Sequence, residues 1–259
     1  MTILACMCNQ PQRLAEALTP LRAALVAPAP VSRWGLGYVQ GGEVLLSRTP
    51  RPSPDPVDFF PAIAALKTDC LIGHAAHDGA NLGTEATQPV RYKRWMLAQD
   101  GLATVDDGPW REIVSRIPEF LRRNLRGRTT AELTLHVTLA MLHDQALLDE
   151  PNLAGPIWRR TLAEALALVA NGLVRTGVHT DLGNLASANS RSLVVVRLAG
   201  PVYVRRLHVN DDRGHRDLGF RGVLVLSTDR PPGDGAEEVP TGSVVSVSRD
   251  LRVDITALG

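Results

Sequence analysis

No sign of charge predominates in this 259-residue sequence: 28 Lys and Arg stand against 27 Asp and Glu, for a formal charge of +1. That balance excludes a global field that would draw the chain to nucleic acid or to an anionic membrane. Long apolar runs are missing too. Stretches such as Leu162 to Ala170 are too short to span a bilayer. The first residues lack the basic stretch and extended apolar core of a signal peptide, so a cytoplasmic location is the expectation. Cysteine is scarce. Three residues, an odd number, build no disulfide framework, and Cys6-Met7-Cys8 is tighter than the usual CxxC metal or redox spacing, so reduced thiols are expected. Solenoid repeats are absent, and no linker is long enough to force two domains, which leaves residues 1–259 as a single unit.

What is present is an ordinary globular composition, with 44% hydrophobic and 21% charged residues on a chain long enough to bury a substantial core. Residues 3–8, ILACMC, read as a short buried strand. In "PQRLAEALTPLRAAL" the leucines at 14, 18, 21 and 25 keep helical spacing, and Pro20 breaks the helix. "WGLGYVQGGEVLLSRT" sets two apolar runs about Gly41-Gly42, the signal of a β-hairpin. A proline-rich loop follows, then a short helix around "AIAAL" and a strand in "DCLIGHAAH". "RYKRWMLAQDGLA" reads as one further strand entering a turn at Asp100-Gly101. From Pro109 to Leu148 the pattern is helical, first through Ile113, Ile117, Phe120 and Leu121, then through Leu133, Val137, Ala140, Met141 and Leu148. A hydroxyl at Thr129 or Thr130, paired with Glu132 or Leu133, caps the second segment. Residues 156–176 form a last amphipathic helix. Four β-branched runs end the chain: "RSLVVVRL", "VYVRRLHV", "GVLVLSTD" and "SVVSVSRDLRVDI". Strands, helices and strands again describe an α+β domain with helices against, or between, two sheets.

Four stretches in this order resemble the class II glutamine amidotransferase domain: "RWGLGY" at 33–38, "IGHAAH" at 72–77 with "ATQPV" at 86–90, "WMLAQDGL" at 95–102 and "RTTAELTLHVTLAML" at 128–142. A fifth, "GVLVLSTDRPPGDGAEEVPTGSVVSVSRD" at 222–250, is similar to the C-terminal segment of the small stand-alone members, which include the ergothioneine-pathway γ-glutamyl hydrolases. The resemblance covers nearly the whole chain. It implies the four-layer αββα sandwich of N-terminal-nucleophile hydrolases.

The same resemblance implies catalytic positions, and at four of them this sequence departs. The family begins Met-Cys, and the freed cysteine attacks a glutamine amide; Thr2 stands there, while Cys6 and Cys8 lie on one face inside the strand. Where the family carries a carboxylate-binding arginine, "GHAAH" has Ala76, which replaces a bidentate donor with a methyl group. The oxyanion-hole Asn-Gly pair becomes Asp100-Gly101, and an ionised Asp100 repels a developing oxyanion whereas a protonated one donates. The aspartate that grips the substrate amine falls on Thr130.

Two functions follow. One is a degenerate domain without glutaminase activity, a pseudoenzyme that holds an unknown small-molecule amide or a protein partner as a binding or scaffold component, with no cofactor. The other is an N-terminal-nucleophile amidohydrolase in which Thr2, freed of Met1, acts on a non-glutamine amide. A plain glutaminase using Cys6 or Cys8 is a third possibility. His74 and His77 flank the old substrate site, but three residues apart on a strand they point to opposite faces and share no metal ion. His136 and His143 are too far apart on one helix for a common ion. The charged run at 211–217 reads as a solvated hairpin tip, and the arginines from 122 to 128 as a solvated helix end.

Overall fold

The computed structural model describes residues 1–79, 82–101, 104–150, 153–178, 182–210 and 213–258. Along the chain the first half holds β1 (Ile3–Cys8), α1 (Leu14–Leu18), β2 (Val26–Ala27), β3 (Arg33–Gln40), β4 (Glu43–Thr49), β5 (Val57–Asp58), α2 (Phe60–Ala64), β6 (Cys70–Ala76), β7 (Val90–Tyr92) and β8 (Trp95–Gln99). Four helices follow: α3 (Asp107–Val114), α4 (Glu119–Arg122), α5 (Thr130–Asp144) and α6 (Gly155–Arg175). The last third adds β9 (Leu185–Ala188), β10 (Ser192–Arg197), β11 (Val202–Leu207), β12 (Gly222–Ser227), β13 (Ala236–Glu238), β14 (Ser243–Ser248) and β15 (Val253–Ala257).

One sheet has seven strands in the order β13-β11-β12-β1-β6-β3-β4, and a second has six in the order β15-β14-β10-β9-β8-β7. The period-two alternation of each strand divides its side chains between two cores. In β1, Ile3, Ala5 and Met7 join Ile72, Met96, Ala98, Val195 and Val225 in the layer between the sheets. Leu4, Cys6 and Cys8 face the other way, onto Leu14, Leu18 and Ile63 of the α1 and α2 layer. The second sheet turns Trp95 and Leu97 to α5 and α6, where they meet Leu133, Trp158 and Leu162. The stacked indoles of Trp95 and Trp158, 4.1 Å between centroids, pin α6 to that sheet. Helices therefore cover both outer faces and, among the described residues, none lies between the sheets, which gives the αββα sandwich.

Local signals explain most of these elements. Gly41 and Gly42, with φ of 62° and 84°, turn the β3–β4 hairpin at no steric cost. Thr129 caps α5, its hydroxyl accepting from the Glu132 amide at 3.1 Å. The leucine-spaced stretch after β1 is broken as its proline requires, with α1 giving way to a 3-10 turn over Thr19–Leu25. Two segments differ from expectation. Residues 90–99 form a hairpin, β7 and β8, because Lys93 takes a left-handed conformation (φ 49°) without a glycine or asparagine to announce it. The helical stretch from 109 divides at Pro118 into α3 and α4. Phe120 is consequently not on a buried face: it is 41% exposed and sits edge-on to His143. Among the described residues no helix is long and apolar enough to cross a membrane.

Candidate active-site region

The two sheets meet at the start of β1. Thr2 is clamped there by backbone pairing, its N–H donating to the Ser227 carbonyl at 2.9 Å and its carbonyl accepting from the Ala75 N–H at 2.9 Å. Its hydroxyl crosses to the second sheet and donates to Asp100 Oδ2 at 2.8 Å. Asp100 directly follows β8 and is itself fixed by its backbone: its N–H donates to the Asn184 carbonyl at 2.8 Å, and the Gly183 N–H donates to its carbonyl at 2.5 Å. On the far side of the carboxylate, His74 Nε2 stands 3.3 Å from Asp100 Oδ1. His74 pairs with Ile3 across β6 and β1, and a cross-strand pair shares one face, so its ring is directed into the inter-sheet layer. It is 4% exposed.

A second branch starts at Ser227, whose Oγ is 3.1 Å from Thr2 Oγ1 and accepts from Asn184 Nδ2 at 2.9 Å. Asn184 Oδ1 accepts from the amides of Leu198 and Ala199 at 2.9 and 3.1 Å, which locks the side-chain amide in one orientation. Thr2 thus has a full set of partners. Neither Ser227 nor Asn184 is legible in sequence, because each reaches Thr2 only through the pairing of β12 with β1 and of β9 with β8.

Met1, Thr2, Asp100, Asn184, Ser227 and Asp229 line a recess of about 230 Å³. The Met1 side chain is buried among the apolar residues of the α1 and α2 layer. Burial pushes its α-ammonium pKa down, against the opposing pull of the Asp229 and Asp100 carboxylates.

The other expected positions are placed as follows. Ala76, buried at the end of β6, lies opposite Arg33 of β3. The Arg33 guanidinium is engaged in two bonds to Asp78, at 2.8 and 2.5 Å, and one to the Ala86 carbonyl. Gly101 abuts Thr130, since a Cβ on that glycine would come within 2.4 Å of Thr130 Oγ1. His77 is exposed, with Nδ1 2.8 Å from the Pro30 carbonyl, outside the Thr2 cluster. His136 is buried, with Nδ1 2.9 Å from the Glu132 carbonyl. Among the described residues no three His, Cys, Asp or Glu side chains are grouped to hold a metal ion. Leu102 and Ala103, beyond the turn, and Asp211 and Asp212 of the charged run lie outside the described residues. The remainder of that run is tied down through Asp217, which pairs with Arg13.

All three cysteines are free and buried. Desolvation pushes the Cys6 thiol far up, Cys8 to about 12, and Cys70 up as well. Protonated thiols in strand interiors are poor nucleophiles. Native protein is expected to keep all three unmodified by a maleimide while the denatured chain reacts at every one, as read by intact-mass spectrometry.

Solved structures provide the comparison. A glutamine aminotransferase class-II domain protein from Silicibacter pomeroyi superposes with a TM-score of 0.59 at 16% identity, covering 98% of each chain. A predicted glutamine amidotransferase from Pseudomonas aeruginosa gives 0.60 at 14%, covering 98% of this chain and 99% of that one. The fold is that of a class II glutamine amidotransferase domain. Glutamine phosphoribosylpyrophosphate amidotransferase from B. subtilis, an N-terminal-nucleophile hydrolase, matches over 100% of this chain and 49% of its own, with a TM-score of 0.56 at 11% identity. No protein-family model and no curated protein matches the sequence. Within the class II amidotransferase fold, Thr2 at the head of the central strand β1 is where the two sheets bring their polar ends together.

Proposed function

We propose that this chain is a class II amidotransferase-fold protein without cysteine glutaminase chemistry, serving as a binding or scaffold component whose recess at Thr2 takes a small polar molecule. One observation carries this reading: the polar cluster is built on a hydroxyl, and every thiol is sealed in a strand with its proton held on. Ala76 and Thr130 support it, since neither supplies the charged contacts that the family resemblance assigns to those positions. The test is ammonia release from L-glutamine, together with labelling by a glutamine-analogue diazoketone. No release and no adduct are expected, and an adduct on Cys6 or Cys8 overturns the proposal.

A second reading rests on the Thr2–Asp100–His74 chain, which orients the hydroxyl on a carboxylate. In it Met1 is removed and Thr2 Oγ1 attacks the carbonyl carbon of a bound amide, its proton passing to the freed Thr2 amine. The C–N bond then breaks, that proton leaves with the amine, and water hydrolyses the threonyl ester to restore the hydroxyl. Intact-mass spectrometry comes first, because a retained Met1 blocks the amine and ends this reading. If Met1 is gone, hydrolysis of γ-glutamyl and simple amides is compared with Thr2→Ala; equal rates in both proteins also end it.

A further inference from the structure

Away from Thr2, and sharing no residue with its recess, a cavity of about 800 Å³ opens between the β3–β4 hairpin, β7 and the segment leading into α5. Arg48, Arg91, Arg94 and Arg126 line it. Three of them are held by backbone carbonyls: Arg48 donates to Pro89 at 3.1 and 2.6 Å, Arg91 to Val44, and Arg94 to Leu148 and Glu150. Carbonyls orient a guanidinium but leave its charge in place. None of the four has an ion-pair partner among the described residues, in contrast to Lys93 on the same rim, which faces Asp149 at 3.1 Å. Three of the arginines are therefore positioned and none of the four is in an ion pair, while Glu43 and Glu85 also line the cavity and leave it with an excess of positive charge.

Glu132 also lines this cavity. It is 4% exposed; Oε1 accepts from the Arg126 amide at 2.6 Å, while Oε2 is buried beside the Gly127 amide, which acts on the carboxyl without completing a hydrogen bond of good geometry. A buried carboxyl oxygen beside a cavity with no full hydrogen bond of its own is an unmade bond. Burial pushes the Glu132 pKa up to about 7, so near neutral pH the group carries a proton it can donate. The charged groups facing it are Arg48 from β4 and Glu85 from the turn before β7, while His136, one helical turn on, bonds its carbonyl rather than its carboxyl.

We propose that this cavity binds a phosphorylated small molecule, its phosphate among the unpaired arginines with one phosphate oxygen facing the Glu132 carboxyl. Arginine forks match phosphate oxygens in geometry as well as charge. The concave shape and a net charge of +1 for the whole chain favour a small ligand over a polynucleotide.

Pyrophosphate is the probe, titrated calorimetrically into the full chain at low ionic strength. Saturable binding is expected, weakened about tenfold or more, roughly 1.4 kcal/mol, by Arg126→Glu. Arg126 is exposed and holds no other side chain, so that variant folds. Arg116→Glu, an equal charge reversal on an exposed residue outside the cavity, leaves the affinity unchanged. At pH 8 Glu132→Gln, a permanent donor, binds pyrophosphate several-fold more tightly than the parent, and at pH 6 the two are equal. Absence of saturable heat, equal weakening by the two charge reversals, an unchanged affinity in Glu132→Gln at pH 8, or equal affinity for citrate each overturns the proposal.

Discussion

Glu132→Gln is expected to raise the stability of the protein at pH 8 by as much as about 3 kcal/mol and to leave it nearly unchanged at pH 4. The reason is the desolvated carboxyl in the first turn of α5, whose pKa is pushed from 4.5 to about 7. A carboxyl with a raised folded-state pKa binds its proton more tightly in the native chain than in the unfolded one. Stability is then fully present below pH 4.5 and falls as pH rises through the window up to about 7, because ionisation costs more in the fold than in water. Charge at a helix start returns only about 0.3–1 kcal/mol, too little to offset the burial. Glutamine keeps the acceptor that Oε1 presents to the Arg126 amide and removes the ionisation. Urea denaturation of both proteins across pH 4–8 checks the sign: parallel curves refute a raised pKa.

Gly183→Ala should cost about 1–3 kcal/mol, which for a chain of this size lowers Tm by several degrees. A Cβ there would stand 2.5 Å from Asp100 Cβ and 2.6 Å from its carbonyl oxygen, distances that real Cβ atoms do not show. The neighbour cannot swing away, since the clashing atoms belong to a backbone held by two hydrogen bonds between residues 100 and 183–184. Asp100 must move, and the Thr2 hydroxyl loses its carboxylate. Gly108→Ala provides the contrast: nothing lies within 4 Å of its Cβ, in the first turn of α3, so helix propensity should add up to about 1 kcal/mol. Thermal melts of both variants decide the matter; equal behaviour would show that the crowding at Gly183 is relieved elsewhere.

Individual elements were legible because periodicity is a local property, whereas the layer order came from the family resemblance. β1, the β3–β4 hairpin, α6 and the β-rich last third follow from alternation, paired glycines and helical spacing. β9 was not legible: Leu185–Ala188 is four residues long, with two alanines of low strand preference, and pairing with β8 and β10 alone makes it a strand. The β7–β8 turn was missed for the same reason, as tertiary context places Lys93 in a conformation its side chain does not favour. At the site, a motif could point to residues 2, 74 and 100, since they fall in stretches that carry the family's order. Asn184 falls in none of those stretches, and Ser227 lies within the one at 222–250 but with no role assigned to it there. They reach Thr2 through strand register, which a single sequence does not state.

The cluster at Thr2 draws on residues 2, 74, 100, 184 and 227, and that spread fixes its timing in a chain made from one end. Thr2 emerges first and Ser227 more than two hundred residues later, so the cluster cannot close until synthesis is nearly complete. With β12 paired to β1 and the α1 and α2 layer packed over it, Met1 is only 6% exposed. The pairing of β12 with β1 thus sets two things at once, because the strand that helps to cover Met1 also brings the Ser227 hydroxyl to Thr2.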